Sequence, residues 1–296
     1  MHIPVLLQEI IDNTKLKEND VFLDCTLGSG GHTKAIAEKF GPSIHLIGID
    51  RDADAIERAT QICKTLKNKK SFVLSEFRNL DVVINELGIA SVNTVLMDLG
   101  LSSPQIDDSG RGFSFRKDEP LLMTMEKDGA GSTVTAYDVV NYWSETSLAD
   151  IIYGFGEERY SRRIAKAICE KREITPIKTT FELVHIIEQA VPSIYRRGRI
   201  HPATRTFQAI RIAVNNELGN IEEGVAKAFE LLAPHGRLLV ISFHSLEDRI
   251  IKNFFREKVA EGRGVSITKK PIVSTEEESH KNPRARSSKL RIIEKI

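Results

Sequence analysis

Short apolar runs that end on an acidic or polar residue recur along the first hundred positions of the chain. They are VFLDCT (21–26), HLIGID (45–50), SFVLSEF (71–77) and NTVLMDLG (93–100). The segments between them place apolar residues three or four positions apart, which is the spacing of a helix with one buried face. Strands that alternate with helices predict an α/β fold with a doubly wound parallel sheet.

The alternation stops after about residue 104. From there to about 204 the pattern predicts loops and helices, most clearly at 156–173 and at 179–193, where Thr179 or Thr180 is a candidate N-cap. A long helical pattern at 208–236, interrupted near Gly219, precedes a fifth strand at 237–245, a helix at 246–259 and a tail at 288–296 that completes the sheet. We therefore predict two parts of one core, 1–105 and 205–296, separated by a helical insert, 106–204.

Composition excludes several classes of protein. The chain has 296 residues, 41% of them hydrophobic and 28% charged, which is ordinary for a globular protein. Its three cysteines are far apart and form no C-x-x-C pair, so we expect a reduced cytoplasmic protein without a zinc site or any other metal site. No apolar run approaches the roughly 20 residues that span a bilayer, and we expect no membrane association.

Positive charge is concentrated in two places although the net charge is only +1. No Asp or Glu occurs between positions 189 and 216, and a second basic cluster lies near the C-terminus. The basic residues are Arg196, Arg197, Arg199, Arg205 and Arg211 in the first place, and Lys281, Arg284, Arg286, Lys289 and Arg291 in the second. Such patches favour a polyanionic partner at a defined site, and solvated helix faces are the alternative.

A glycine-rich turn follows the first predicted strand. Asp24 precedes it, Gly28, Gly30 and Gly31 allow close approach of the backbone to a ligand, and Asp50 ends the second strand. A carboxylate in that position accepts ribose hydroxyls, so the combination predicts a nucleoside-type cofactor.

Two residues bear on which cofactor this is. Thr33 stands where the dinucleotide fingerprint needs a small residue, which argues against a nicotinamide-dependent oxidoreductase. The cationic methyl donor S-adenosylmethionine suits the acidic residues better. Phe77 follows the third strand and is equally well explained as an adenine contact or as a core aromatic.

The segment VLMDLGLSSPQID (95–107) places Asp98 at the end of the fourth strand, before a tight turn. Methylases of exocyclic amines often carry an acid, two prolines and an aromatic there, and the match is partial because Gln105 replaces the aromatic. Asp98, Ser102 and Ser103 are candidate catalytic residues that would polarise an amine, and Asp98 is alternatively a cofactor ligand.

Nine strings in the same order along the chain resemble one family, the bacterial 16S ribosomal RNA (cytosine-N(4)-)methyltransferases. The strings are HIPVLLQE, LGSGGHT, IDRD, MDLGLSSPQID, RGFSF, GEERYSRRIA, HPATRTFQAIRIAVNNEL, SFHSLEDR and NPRARSSKLR. The resemblance implies a Rossmann-like methyltransferase sheet with an inserted α-helical domain. It also implies methyl transfer from S-adenosylmethionine to the 4-amino group of a cytidine in the decoding region of the small ribosomal subunit.

The resemblance also implies site residues. The matching cofactor positions are Gly30, Gly31, His32, Asp50, Phe77, Asp98 and Gln105, to which the glycine turn adds Asp24 and Gly28. The candidates for RNA contact are Phe113, Phe115, His201, Arg205, Arg211, His244, Arg284 and Arg286. Core packing is the alternative for the two phenylalanines, a helix-surface charge for Arg211 and a structural histidine for His244.

One stretch departs from the family. Glu119, Leu122, Thr124 and Glu126 replace the Gly, Asp, Arg and Asp that usually follow RGFSFRKD. An RNA-binding assembly factor without catalysis is therefore the alternative function, although the cofactor motifs are intact. The sequence leaves open whether the RNA is met free, in the small subunit or in a late assembly particle, and whether the protein is a monomer or a homodimer.

Overall fold

The structure is a computed structural model, and it describes residues 4–100, 109–125 and 134–296. The chain divides into two compact units. We call residues 1–100 together with 218–296 the sheet unit, and residues 101–217 the helical unit.

The sheet unit is built on one sheet. Its strands are β1 (Val21–Asp24), β2 (His45–Asp50), β3 (Lys70–Leu74), β4 (Val92–Asp98), β5 (Leu232–Ser242), β6 (Gly264–Ser266), β7 (Ile272–Val273) and β8 (Lys289–Lys295). Their order is β3-β2-β1-β4-β5-β8-β6, and β7 pairs with β8. Strands β1 to β5 are parallel and β8 is antiparallel to β5, which confirms the predicted fold class and the predicted tail strand.

Helices account for most of the remaining described chain. They are α1 (Leu7–Asn13), α2 (Gly31–Phe40), α3 (Ala53–Ile62), α4 (Leu80–Glu86), α5 (Ala136–Tyr142), α6 (Glu145–Gly154), α7 (Ser161–Ile174), α8 (Thr180–Ala190), α9 (Ser193–Arg196), α10 (Ala203–Asn215), α11 (Glu217–Leu231), α12 (Ser245–Ala260) and α13 (Glu276–Lys281). Short 3₁₀ turns cover Phe77–Asn79 and Pro283–Ser287. Within the part of the chain that the structure describes, no helix is long and apolar enough to span a bilayer.

The central strands are buried on both faces, which explains why they read as unbroken apolar runs rather than as an alternating pattern. Successive side chains point to opposite faces, so Phe22 joins one apolar cluster and Leu23 the other. The same division separates Val95 from Leu96 on β4.

The strand order changes direction between β1 and β4. From β1 the chain builds outward through β2 to β3, and then returns to place β4 on the other side of β1. In open α/β sheets, ligands bind beyond the carboxyl ends of the strands at such a switch point. The residues that end these two strands are Asp24 and Asp98.

The helical unit has its own apolar core, and Thr179 caps α8 through a capping box with Glu182, in line with the candidate N-cap. The long helical pattern breaks at Asn216, whose backbone is left-handed (φ 46°), three residues before Gly219. Helix α10 belongs to this unit because Phe207 and Ile210 lie in its core. The unit therefore ends at residue 217, whereas the sequence pattern placed this boundary at 204.

Candidate active site

The carboxyl ends of β1, β2 and β4 bring three aspartates to one edge of the sheet. Asp50 ends β2, and its two carboxylate oxygens accept hydrogen bonds from the backbone N–H of Gly28 (2.8 Å) and of Asp52 (2.9 Å). Burial raises the pKa of Asp50 in spite of these bonds. The carboxylate is thereby fixed beside the glycine turn, and each oxygen keeps a lone pair for a ligand hydroxyl.

Asp24 ends β1 and is only 1% exposed. Its carboxylate accepts hydrogen bonds from the Thr33 hydroxyl (2.7 Å) and from the Thr26 N–H (3.2 Å). Burial raises its pKa to about 6. Asp24 thus lies beneath the glycine turn and ties the start of α2 to the end of β1.

Asp98 ends β4 and differs from the other two aspartates in its hydrogen bonding. Its side chain keeps 24% exposure, and among the described residues no group hydrogen-bonds to its buried Oδ1. Its backbone N–H donates to the Thr26 hydroxyl (2.6 Å), which fixes the strand end. Burial raises the pKa of Asp98 to about 6, although nearby His32 acts in the opposite direction. A buried, unpartnered carboxylate oxygen fits a ligand that brings a positive charge or a donor hydrogen.

His32 stands on the first turn of α2 and faces Asp98. Its Nε2 lies 2.9 Å from the carbonyl oxygen of Val5. A carbonyl only accepts hydrogen bonds, so Nε2 carries the proton and Nδ1 faces Oδ2 of Asp98 at 3.8 Å. The preceding Gly31 leaves room for Pro4, because a Cβ there would lie 2.7 Å from the proline ring.

The glycine turn itself needs glycine at two positions. Gly28 (φ 51°) and Gly30 (φ 76°) both have left-handed backbones. A Cβ on Gly30 would lie 3.2 Å from Ala59 of α3, so this glycine serves helix packing. Around Gly28 the nearest heavy atom to such a Cβ would be 3.8 Å away, which leaves open space beside Asp50.

Phe77 begins the 3₁₀ turn that follows β3, and it is half-buried. Its ring packs against Gly224 of α11, where any Cβ would overlap the ring. A glycine at this helical position allows the close approach. The ring therefore has a fixed orientation near the carboxyl edge of β2 and β3.

His244 begins α12 as part of a capping box with Glu247. Its Nδ1 accepts from the backbone N–H of Glu247, and the Glu247 carboxylate accepts from the N–H groups of Phe243 (2.7 Å) and His244 (3.2 Å). Nδ1 of His244 thus serves the helix start, whereas no described residue hydrogen-bonds to its buried Nε2. Its proposed contact with RNA remains a prediction.

The helical unit contains most of the predicted RNA contacts. Phe115 stacks on His201 with ring centroids 4.7 Å apart and meets Phe207 edge-on at 5.1 Å. Phe113 belongs to the apolar core, where the Arg111 guanidinium covers its ring. Phe115 and His201 are therefore the accessible aromatic pair, and Phe113 is mainly a packing residue.

The predicted arginines differ in what they contact. Arg211 forms a two-point ion pair with Glu217, with both N–O distances 2.8 Å. Arg205 donates to the Tyr195 hydroxyl (3.4 Å) and to a backbone carbonyl. In the sheet unit, exposed Arg286 donates to the Ser279 carbonyl (3.3 Å), and half-buried Arg284 lies in the same 3₁₀ turn.

Some predicted residues lie outside the described part of the chain. These are Ser102, Ser103, Gln105 and Glu126. Of the other departures, Glu119 accepts a hydrogen bond from the Gly112 N–H (2.9 Å), Thr124 offers its carbonyl to Arg111 (3.1 Å), and Leu122 is partly exposed. Glu119 and the Thr124 backbone thus have structural contacts within the helical unit.

Sequence reasoning missed several residues that position the site. Thr26 holds both Asp24 and Asp98, Val5 holds His32, and Glu278 accepts from the Leu6 N–H (2.7 Å) across the sheet unit. Only Thr26 had a local signal, since it lies two residues after the end of β1. The other contacts join residues far apart in the chain, which a linear pattern does not reveal.

Comparison with known proteins identifies the relatives of this chain. The model of the MraW methylase family matches residues 1–296. Three curated relatives named ribosomal RNA small subunit methyltransferase H align over 100% of this chain. The protein from Brevibacillus brevis is 42% identical over 98% of its own length, that from Clostridium botulinum 45% over 99%, and that from Carboxydothermus hydrogenoformans 45% over 98%.

Proposed function

The chain belongs to the MraW methylase family, and from that premise we propose that it methylates ribosomal RNA of the small subunit. The reaction is transfer of a methyl group from S-adenosylmethionine to the exocyclic 4-amino group of a cytidine in the decoding region of 16S RNA. The single observation that carries this proposal is the full-length similarity to relatives named for small-subunit RNA methylation. The resemblance of the nine sequence strings to the cytosine-N(4) methyltransferases is the basis for naming cytosine as the base and its 4-amino nitrogen as the methylated atom.

The residues of the sheet edge fit the methyl donor, a nucleoside with an ammonium group and a sulfonium. Asp50 is fixed beside open space at Gly28, and we assign it to the ribose hydroxyls. Phe77 has an oriented, half-buried ring, and we assign it to the adenine. Asp98 has an oxygen that no described residue hydrogen-bonds, and we assign it to the cationic end of the donor.

Asp24 has a supporting place in this assignment. Because it is only 1% exposed and binds Thr33 and Thr26, it holds the glycine turn in shape for the donor. His32 has a similar place, since it connects the Val5 backbone to the face of Asp98. S-adenosylmethionine supplies an already activated methyl group, so the protein's own residues have to orient the two reactants and polarise the cytosine amine.

The cytosine amine is a weak nucleophile because its lone pair is delocalised into the ring. A hydrogen-bond acceptor on the amine N–H localises this lone pair and receives positive charge as the nitrogen is methylated. We assign this contact to Ser102 and Ser103, which follow Asp98 in the sequence and lie outside the described residues. The target base has to leave a helical stack to reach it.

The helical unit is the proposed RNA-recognition part. The Phe115–His201 stack offers an aromatic surface to an unstacked base, and Arg205 lies in the same unit. In the sheet unit, Arg284 and Arg286 add positive charge for phosphates. The proposed partner is 16S RNA within the small subunit or a late assembly particle, in the cytoplasm.

Nucleoside mass spectrometry tests the proposal. Small-subunit RNA from cells that lack the gene is expected to contain unmethylated cytidine at one decoding-region position, and re-expression of the wild-type protein restores the methyl group. Re-expression of Asp98→Ala should fail to restore it. Restoration of growth or assembly by Asp98→Ala without any methyl transfer would support the assembly-factor alternative instead.

A further inference from the structure

Two segments of the helical unit present six exposed arginines that form no ion pair with any described residue. They are Arg159, Arg162, Arg163, Arg196, Arg197 and Arg199. The first three lie just before and on the first turn of α7, and the last three end α9 and continue into the following loop. Unpaired arginines in such number favour a polyanionic partner.

Two tyrosines join these segments into one surface. The rings of Tyr160 and Tyr195 meet edge to face with centroids 4.9 Å apart. The Arg159 guanidinium covers both rings, 4.8 Å from the Tyr160 centroid and 5.1 Å from that of Tyr195. Arg163 lies 5.9 Å from the Tyr160 centroid. We call these two tyrosines and six arginines the arginine–tyrosine surface.

A buried acid fixes the geometry of the arginine–tyrosine surface. Glu158 is 0% exposed, and its two oxygens accept hydrogen bonds from the Tyr195 hydroxyl (2.5 Å) and the Tyr160 N–H (2.8 Å). A buried carboxylate without partners costs folding free energy, so both contacts are retained together. Arg205 also donates a hydrogen bond to the Tyr195 hydroxyl at 3.4 Å. The tyrosine pair is therefore a rigid support for the arginines.

We propose that the arginine–tyrosine surface binds a single-stranded stretch of the RNA substrate, which deepens the proposed function and rests on it. A guanidinium that covers a ring keeps its edge N–H groups free for phosphate oxygens. Single-stranded RNA is bound by this combination of phosphate contacts with stacking on Arg planes and aromatic rings. An acidic protein partner would also pair with the arginine charges, but it has no bases to stack on the guanidinium planes and aromatic rings.

The first test removes charge. Binding of a fluorescein-labelled single-stranded RNA with the decoding-region sequence is measured as a function of salt for the full chain, for R197Q/R199Q and for a matched control, K171Q/K178Q. The control removes two exposed cations from elsewhere on the helical unit. R197Q/R199Q should weaken binding and reduce the slope of log K against log salt by about 1.4, at about 0.7 for each lost phosphate contact. K171Q/K178Q should leave both unchanged.

The second test keeps the positive charge at position 159 and removes the planar guanidinium. Arg159→Lys retains one positive charge but loses the flat guanidinium that covers Tyr160 and Tyr195. It should weaken RNA binding but change the salt slope less than R197Q/R199Q does. Equal binding by Arg159→Lys and wild type would overturn the stacking part of the proposal.

Three outcomes separate this proposal from the proposed function. Methyl transfer by the wild type together with an unchanged salt slope in R197Q/R199Q overturns the surface and leaves the function standing. A reduced slope without methyl transfer to any RNA supports the surface and contradicts the function. If R197Q/R199Q loses binding to assembled subunits but still binds naked RNA, the surface contacts a ribosomal protein, and the proposal that it binds RNA is overturned.

Discussion

Nδ1 of His32 lies 3.8 Å from Oδ2 of Asp98, while the other ring nitrogen of His32 is held by the Val5 carbonyl at 2.9 Å. The histidine is therefore anchored on the side away from Asp98 and directs its other ring nitrogen towards a carboxylate at the switch point of the sheet. Burial raises the pKa of this carboxylate to about 6, and His32 opposes the rise. Ligand binding by Asp98 should accordingly depend on pH and on His32.

In the proposed function Asp98 binds the cationic donor, and a carboxylate binds a cation well only when it is ionised. The affinity for S-adenosylmethionine should therefore rise as the pH increases through about 6. In His32→Asn the opposing influence is lost, the pKa of Asp98 rises further, and the midpoint of the affinity profile moves to higher pH. Titration calorimetry across pH 5 to 8 measures the midpoint, with His45→Asn as the control. Identical midpoints for wild type and His32→Asn would contradict this coupling.

Asp98→Asn should separate ligand binding from stability. Loss of a charged hydrogen bond costs roughly 1.5 to 3 kcal/mol, so the Kd for the donor should increase about 10- to 150-fold. The same change removes a buried carboxylate whose pKa is raised to about 6, so the free energy of unfolding at neutral pH should rise by roughly 1 to 3 kcal/mol. Calorimetry and chemical denaturation check the two effects, and a simultaneous loss of both affinity and stability would indicate a structural role instead.

The sequence predicted the parts of the fold and site that depend on local patterns. Apolar runs bounded by acids located β1 to β4, and their parallel pairing placed Asp50 and Asp98 at one sheet edge. It did not predict that Asp24 is almost fully buried and binds Thr33 and Thr26, because a buried carboxylate and a more accessible one have the same local sequence.

The sequence also did not predict that the helical unit ends at residue 217. The sequence shows most of helix α10 and helix α11 as one long helical pattern with an interruption only near Gly219, and only packing shows that Phe207 and Ile210 join the core of the helical unit. The sequence predicted only part of the basic surface of the helical unit. The acid-free window identified Arg196, Arg197 and Arg199, but their contact with the start of α7 runs through Tyr195 and depends on tertiary structure.

Asp24 should make the stability of the protein depend on pH. Its folded pKa of about 6 exceeds its ordinary value of 3.8, so the folded state holds the proton more tightly, and the stability from this group is lost as the pH rises from about 4 to about 6. Asp24→Asn removes this dependence. Between pH 5 and pH 7.5 the wild type should lose roughly 1 to 2 kcal/mol more unfolding free energy than Asp24→Asn. Parallel pH profiles for the two proteins would show that Asp24 keeps an ordinary pKa.

Gly224→Ala tests whether the orientation of Phe77 matters for the donor. The new methyl group would overlap the ring, so the ring has to move away from α11. The helix itself gains about 1 kcal/mol of intrinsic propensity, which limits the loss of stability. We expect weaker binding of S-adenosylmethionine with a small change in Tm. Gly154→Ala is the matched control, because its Cβ would meet nothing within 4 Å. Equal donor affinity in both variants would argue against an adenine contact by Phe77.

Glu278 should influence the active site from a distance through the N-terminal segment. It accepts from the Leu6 N–H at 2.7 Å, and the neighbouring Val5 carbonyl holds His32. Glu278→Ala leaves the Leu6 N–H without this partner and frees the segment, so the affinity for the donor should fall and its pH midpoint should rise as it does in His32→Asn. Glu278→Gln keeps a side-chain oxygen that accepts the same bond, and it should restore most of the affinity. Calorimetric titrations of the three proteins decide the matter, and a loss in Glu278→Gln as large as in Glu278→Ala would show that the charge of Glu278 matters rather than its hydrogen bond to Leu6.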